Sequence, residues 1–361
     1  MKVIDMHCDT VYKLLCLEEQ GKAEELRRNG RHLDLQRMRD SHYLLQNFAL
    51  FVELDCDGDP WERVCKLYRY YKKELERNQD ILAPVLCYAD IAANEAAGKL
   101  SAMLTVEEGA VCKGEVEKLR RLYEMGVRMI TLTWNFPNEI GSPNFDRELG
   151  KRASEAKEAW KKCEPGTEEY ERKRNEAQTA FEAFNRTCNS TGGLTERGKE
   201  LVSEMERLGI IPDVSHLSDA GFYDVLAVTG KPFVASHSNA RSVCPCVRNM
   251  TDDMIRKLAE RGGVIGLNYC ADFLEEKPVG VENHGSIESV ARHAKHIANV
   301  GGIEVLGLGS DFDGISTYEE IPGAEGMEAL WEGMRRAGFS ESQLDHIFWK
   351  NVLRVYRDTL A

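Results

Sequence analysis

The chain has 361 residues, is 42% hydrophobic and carries a formal charge of −13 at pH 7. That length supports one large α/β barrel or two modest domains, with enough apolar residues for a substantial core. The charge excludes nucleic acid as a default partner, because no Lys/Arg excess is present to neutralise phosphates, and no apolar run reaches the roughly 18 residues that would cross a bilayer.

Apolar, strand-like runs alternate with helix-like segments over most of the chain. The predicted strands are 3–7, 46–53, 101–106, 127–133, 210–214, 232–236, 263–268 and 305–309, the eight that a (β/α)8 TIM-type barrel requires. A ninth run, 81–86, contains Pro84, which demotes it to an edge strand or loop. Helices are predicted over 115–124 with a stop at Gly126, and over 195–208 with a stop at Gly209. A third runs over 251–261 from a Thr251 cap, with Asp252 and Asp253 favourably placed in its first turn, and a fourth over 289–300 before Gly301 and Gly302. Such alternation argues for a parallel sheet covered on both faces, within a single domain spanning 1–361. Residues 146–186 break the rhythm. They are rich in Lys, Glu, Arg and Ala, and read as a charged helical insertion after the fourth strand, placed where it can act as a lid or a subunit contact.

The N-terminus runs directly into the first strand, so no secretory leader is expected. The eleven cysteines are scattered and read as reduced thiols of a cytoplasmic protein. Only Cys244 and Cys246 are close, and a redox or metal role for them is the minor alternative.

Candidate ligands stand just past the strand runs, where α/β barrels assemble active sites. On an extended strand His7 and Asp9, two residues apart, face one way and can grip one cation, while Cys8 between them points away. Glu107 and Glu108 follow the third strand; a carboxylate can bridge two cations, and strand period leaves the choice between these two open. His216 and His237 occupy equivalent places after two consecutive strands. His32, His42, His284, His293, His296 and His346 lie in helical or loop settings and read as surface or packing residues. Asp311, in the glycine-rich end of the last strand, is placed to act as general acid or base, and Asp313-Gly314 reads as a turn. Arg248 can hold a substrate carboxylate in a two-pronged contact.

Taken together, Asp5-x-His7-x-Asp9, Val106-Glu107-x-Gly109, Ser215-His216, Ser236-His237-Ser238, Arg248-Asn249 and the segment Gly309-Ser310-Asp311-Phe312-Asp313-Gly314 resemble the membrane dipeptidase (renal dipeptidase) family of zinc metallopeptidases, in a bacterial-type form. The resemblance runs from residue 3 to about 356 apart from the charged insertion. It implies a dipeptide-hydrolysing barrel with two Zn²⁺ ions: His7 and Asp9 on one ion, His216 and His237 on the other, and Glu107 rather than Glu108 bridging them. It also implies Arg248 at the substrate carboxylate and Asp311 as the catalytic aspartate. Where mammalian members carry a histidine that stabilises charge on the scissile carbonyl, this chain has Trp134. The family's pocket tyrosine has no clear match: Phe273 falls at the counted position and Tyr269 lies nearby, so Trp134 and Tyr269 are the expected substrate contacts beside Arg248. The expected partner is a small peptide, with no nucleic acid and no membrane, and the leaning is toward a homodimer. The alternatives are another two-metal barrel amidohydrolase or lactonase, or a catalytically weak metal-binding homologue.

Overall fold

The structure, a computed structural model, describes residues 1–360. Nine strands form, β1 (Val3–Asp5), β2 (Tyr43–Phe51), β3 (Leu82–Pro84), β4 (Leu100–Glu107), β5 (Val127–Thr131), β6 (Ile211–Asp213), β7 (Val234–Ser238), β8 (Val264–Leu267) and β9 (Leu306–Leu308). Eight of them close into a parallel barrel. β2 pairs with β4 from Leu45↔Ser101 to Phe51↔Glu107, and β1 meets β9 at Asp5↔Leu308. The run containing Pro84 becomes β3, which pairs with Leu100–Ala102 at the foot of β4, below the point at which β5 joins β4 at Leu104. Its proline is tolerated because this short strand ends there.

Strand alternation divides the core in two. On β4, Ala102, Leu104 and Val106 face the helical layer, while Met103 faces the barrel interior. The interior layer takes Ile4, Leu45, Met103, Met129, Ile211, Val234 and Val264, one residue from each of seven strands. The eighth strand contributes Gly307, at which a Cβ would lie 2.8 Å from Val352. Val352 and Tyr356 belong to the last helix, Asn351–Thr359, which plugs the N-terminal mouth; the Tyr356 hydroxyl donates to Asn47 Oδ1 at 2.9 Å. The plug leaves the C-terminal mouth as the open end, where the candidate ligands stand.

The helix signals act as the sequence predicts. Thr195 caps Glu196–Leu208 by accepting from Gly198 N–H, and that helix stops at Gly209, whose φ is +81°. Thr251 caps Asp252–Glu260 through Met254 N–H. The charged insertion is a hairpin of two helices, Arg147–Lys161 and Glu168–Arg186, following β5, the fourth strand of the barrel. Its apolar anchorage is small, a cluster of Trp160, Ala177 and Val279.

Candidate metal centre

Donor atoms from four separated strand ends converge at the open mouth. Glu107 lies at the centre, because Met103, Thr105 and Glu107 share the interior face of β4. Glu107 Oε2 is 3.2 Å from His7 Nε2, and Oε1 is 3.1 Å from His216 Nε2 and 3.6 Å from His237 Nε2. Each carboxylate oxygen therefore faces a different histidine set. Glu108 turns away at φ +96° and holds the following loops, accepting from Ala110 N–H at 2.8 Å and Trp134 N–H at 3.0 Å.

His7 and Asp9 also converge, with His7 Nε2 3.6 Å from Asp9 Oδ2 and 4.0 Å from Asp311 Oδ1. The route differs from the extended pair expected from sequence. β1 ends at Asp5, and Asp9 is the N-cap residue of helix Thr10–Glu19. Cys8 points away into the outer core, its thiol directed at Asn47 O. Asp311 has φ +62°, a left-handed conformation that turns its carboxyl over the cluster, and Asn268 Nδ2 holds its Oδ2 at 2.9 Å. At Gly314 a Cβ would lie 2.3 Å from both Asp311 Oδ1 and Asp9 Oδ2, so only glycine lets the loop close over these carboxylates.

Several groups in the cluster are left in states that a cation satisfies. Asp9 makes no side-chain cap bond to its own helix, and its buried Oδ1 has no hydrogen-bond partner; neither has His7 Nε2. The other two imidazoles are fixed by their far nitrogens. Ser236 Oγ donates to Asp213 Oδ2 at 2.6 Å, so His237 Nδ1, 2.8 Å from that oxygen, must carry the hydrogen between them. His216 Nδ1 faces Asn135 Oδ1 at 3.0 Å, an amide oxygen that can only accept, so this nitrogen also carries the hydrogen. Both Nε2 atoms then present lone pairs, 3.0 Å from each other. Two nitrogen ligands of one tetrahedral ion at about 2.0–2.1 Å sit roughly 3.3 Å apart, so the pair is nearly in place for an ion. The donor set fits divalent cations.

The electrostatics agree. Burial, with nearby cationic groups, pushes His216 and His237 well below the usual imidazole value, so both are neutral imidazoles able to donate a lone pair. Burial also acts to lower His7, but Glu107 and Asp9 outweigh it and hold its pKa well above the ordinary value. Burial raises Glu107 to about 7 and Asp311 to about 6, against the opposing pull of His7.

The cluster forms the floor of a cleft of about 280 Å³ whose walls include Tyr12, Phe51, Trp134, Phe145, Arg248 and Phe273. A larger hollow of about 520 Å³ between Ile287–Gly301 and Met327–Arg336 is lined by no His or Cys, whereas the smaller cleft contains Asp9, Glu107, His216 and Asp311. Arg248 is buried and donates to the Ser215 carbonyl; its guanidinium lies 5.4 Å from the Phe273 ring centre, and it has no ion-pair partner among the described residues. Trp134 packs edge-on against Phe51 at 4.9 Å and lies 6.2 Å from the His216 ring.

Tyr269 is elsewhere, which corrects its expected place in the pocket. It is fully buried in the outer core, with its ring 5.8 Å from Phe312. Just past β8, Asn268 takes the inward position to reach Asp311, and alternation turns Tyr269 outward. Phe273 lines the cleft instead. Of the remaining histidines, His293 is a buried hydrogen-bonded residue, held down to about 4 chiefly by burial, and His32 pairs with the backbone of Asp313.

Sequence reasoning missed the residues that hold the ligands. Asp213 accepts from Ser215 N–H and Oγ–H, Ser236 N–H and Oγ–H, and Thr131 Oγ–H, tying the ends of β5, β6 and β7 together. Asp5 accepts from His7 N–H and from Ser310 N–H and Oγ–H in the same manner, tying β1 to β9. The sequence signal was present: a serine immediately precedes both His237 and Asp311, and an aspartate stands two or three residues before His7 and His216.

A family model for the membrane dipeptidases, peptidase family M19, matches residues 1–157 and 167–361. An uncharacterised dipeptidase of Schizosaccharomyces pombe is 30% identical, the alignment covering 99% of this chain and 80% of that protein. The crystal structure of dipeptidase AC, a family M19 metallopeptidase, superposes with a TM-score of 0.82 at 25% identity, covering 100% of this chain and 99% of the other. A Rhodobacter sphaeroides metallopeptidase, solved with a phosphinate mimic of the dipeptide L-Ala-D-Ala, shares the fold with a TM-score of 0.80 at 24% identity over 99% of each chain. With the family model spanning all but a few residues within the hairpin, the chain belongs to the membrane dipeptidase family, peptidase family M19.

Proposed function

We propose that this metal-dependent dipeptidase works with two zinc ions, His7 and Asp9 holding one, His216 and His237 the other, and Glu107 shared between them. The observation that carries this reading is the Glu107 carboxylate, one oxygen of which faces His7 while the other faces His216 and His237. When bound, the ions supply Lewis-acid polarisation of the scissile carbonyl and lower the pKa of the attacking water. The protein's own groups do the rest. Arg248, a buried cation without an ion-pair partner, takes the C-terminal carboxylate of the substrate as its counter-ion. A cleft of about 280 Å³ suits two residues better than a longer peptide. Asp311, buried and held at Oδ2 by Asn268, offers Oδ1 to take a proton from the attacking water and return it to the leaving amine. The aromatic edge of Trp134 bounds the cleft beside His216 and keeps water from the reacting bond.

A cytoplasmic location is supported by eleven thiols that are all unpaired. A homodimer is the proposed assembly, by analogy with other barrels, and sedimentation tests it. Of the described helices, none is long and apolar enough to cross a membrane.

The test is metal analysis of purified protein beside a panel of dipeptides, a lactone and a phosphotriester, with and without chelator. The reading expects about two zinc ions per chain, chelator-sensitive cleavage of dipeptides and no turnover of the other substrates. Metal-independent cleavage, or a lactone as the best substrate, overturns it.

A further inference from the structure

The charged hairpin of residues 147–186 carries the signs of a solvated surface element, with i,i+3 and i,i+4 ion pairs such as Arg172–Glu176 along its exposed face. Its neck is different. The main chain immediately before Arg248 is held by both ends of the insertion: Asn144 Nδ2 donates to Val247 O at 3.0 Å, and Val247 N–H donates to Asn185 O at 2.8 Å. The next residue along each strand of the neck forms a second tie. Phe145, a wall of the cleft, packs edge-to-face on Phe184 of the second hairpin helix, with ring centres 4.5 Å apart at 88°. Gly150 of the first helix leaves room for that ring, since a Cβ there would lie 2.9 Å from Phe184. Phe184 also lines an open groove of about 420 Å³, which leaves room for this pair to shift.

The hairpin also grips the segment that follows Phe273. Gln178 Oε1 accepts from Val279 N–H at 2.8 Å, and Arg186 pairs with Glu276 at 2.5 Å. Phe145 and the segments next to Arg248 and Phe273, three sides of one end of the cleft, therefore all touch the hairpin or its neck.

We propose that the hairpin is a specificity element, and that Phe184, acting through Phe145, sets which C-terminal side chain of a dipeptide fits beside Arg248. The proposal rests on the reading of Arg248 as the carboxylate-binding residue, which places the C-terminal residue of the substrate at this end of the cleft. The N-terminal residue lies toward Asp9 and Asp311, which the hairpin does not touch. Phe184 is a positioning residue: it meets the wall, not the substrate.

The experiment compares zinc-loaded wild type, Phe184→Ala and Phe184→Leu on two substrate series, with metal content measured for each protein. One series varies the C-terminal residue (Ala-Gly, Ala-Ala, Ala-Leu, Ala-Phe) and the other the N-terminal residue (Gly-Ala, Leu-Ala, Phe-Ala). With Phe184→Ala the wall relaxes into the groove, and the kcat/KM ratio of Ala-Phe to Ala-Gly rises ~10-fold, carried mainly by KM. Ratios within the N-terminal series stay within roughly twofold, as expected for an independent site. Phe184→Leu, which keeps an apolar contact, lies between the two and decides the matter alone if Phe184→Ala does not fold. Movement of both series together, or an unchanged C-terminal ratio in a variant with wild-type metal content, overturns the proposal. A wild type that cleaves no dipeptide overturns the functional reading first, and the two failures are thereby distinguished.

Discussion

Replacing Ser236 by alanine removes one hydroxyl that does two things. It accepts the His237 Nδ1 hydrogen at 2.8 Å and donates to Asp213 Oδ2 at 2.6 Å. Asp213 loses little, because the other four of its five donors remain. His237 Nδ1 loses its partner, and a buried N–H without an acceptor costs about 1–3 kcal/mol. The ion-free protein avoids that cost by moving the hydrogen to Nε2, where His216 Nε2 waits as an acceptor 3.0 Å away. Stability without metal therefore changes little, while ion binding must first undo the new tautomer. Affinity should fall 10- to 100-fold, about 1.4–2.8 kcal/mol. Competition against a fluorescent zinc chelator measures the affinity, and ¹⁵N imidazole shifts of the ion-free protein report which nitrogen carries the hydrogen. Ser236→Thr keeps the hydroxyl and should recover most of the loss. An Ser236→Ala affinity within roughly twofold of wild type, with an unchanged tautomer, would refute the reasoning.

Two further outcomes are expected. Arg248→Ala should raise KM for dipeptides about 10- to 100-fold, the worth of a charge-assisted contact, with a much smaller effect on the corresponding dipeptide amides; equal effects on acid and amide would remove Arg248 from the carboxylate. Stability should also depend on pH in a way that metal reverses. Glu107 is raised to about 7 and His7 is raised well above its usual value, so the folded, ion-free protein binds protons more tightly than the unfolded chain. For Glu107 that contribution is present below about pH 4.5 and is lost as pH rises to about 7; for His7 it is present below about pH 6.5 and is lost at higher pH. Below about pH 6.5 His216 and His237, both held neutral by burial, act in the opposite sense. The rise in melting temperature on adding zinc should consequently grow from pH 6.5 to pH 8, and a constant or shrinking increment counts against the cluster as described.

Much of the barrel was legible because its signals are local. Alternating apolar runs mark the strands, and Thr195, Gly209 and Thr251 mark helix ends. The candidate ligands were legible as a group because most of them stand just past such strand ends. Register within a strand was harder. By strand period alone, Glu107 and Glu108 are separable only once Met103 is known to face the interior, and that depends on closure between β2 and β4, whose partners such as Leu45 and Ser101 are 56 positions apart. Just past β8, nearness to the counted position misplaced Tyr269, because the inward place goes to Asn268, whose partner Asp311 is 43 residues away. Asp9 reaches the cluster as a helix cap rather than from a continuing strand, a change of geometry that a spacing of two does not reveal. The neck of the hairpin was illegible for a different reason. Val247 is held partly through the main-chain carbonyl of Asn185, and a carbonyl leaves no trace in residue type.

The central claim is that separate strand ends bring their donors to a pair of ions that share Glu107. Anomalous diffraction at the zinc edge, from crystals of zinc-loaded protein, tests it most directly. The account predicts two peaks in the cleft, roughly 3.5–4 Å apart with Glu107 between them. A single peak, or two peaks without Glu107 touching both, would contradict it.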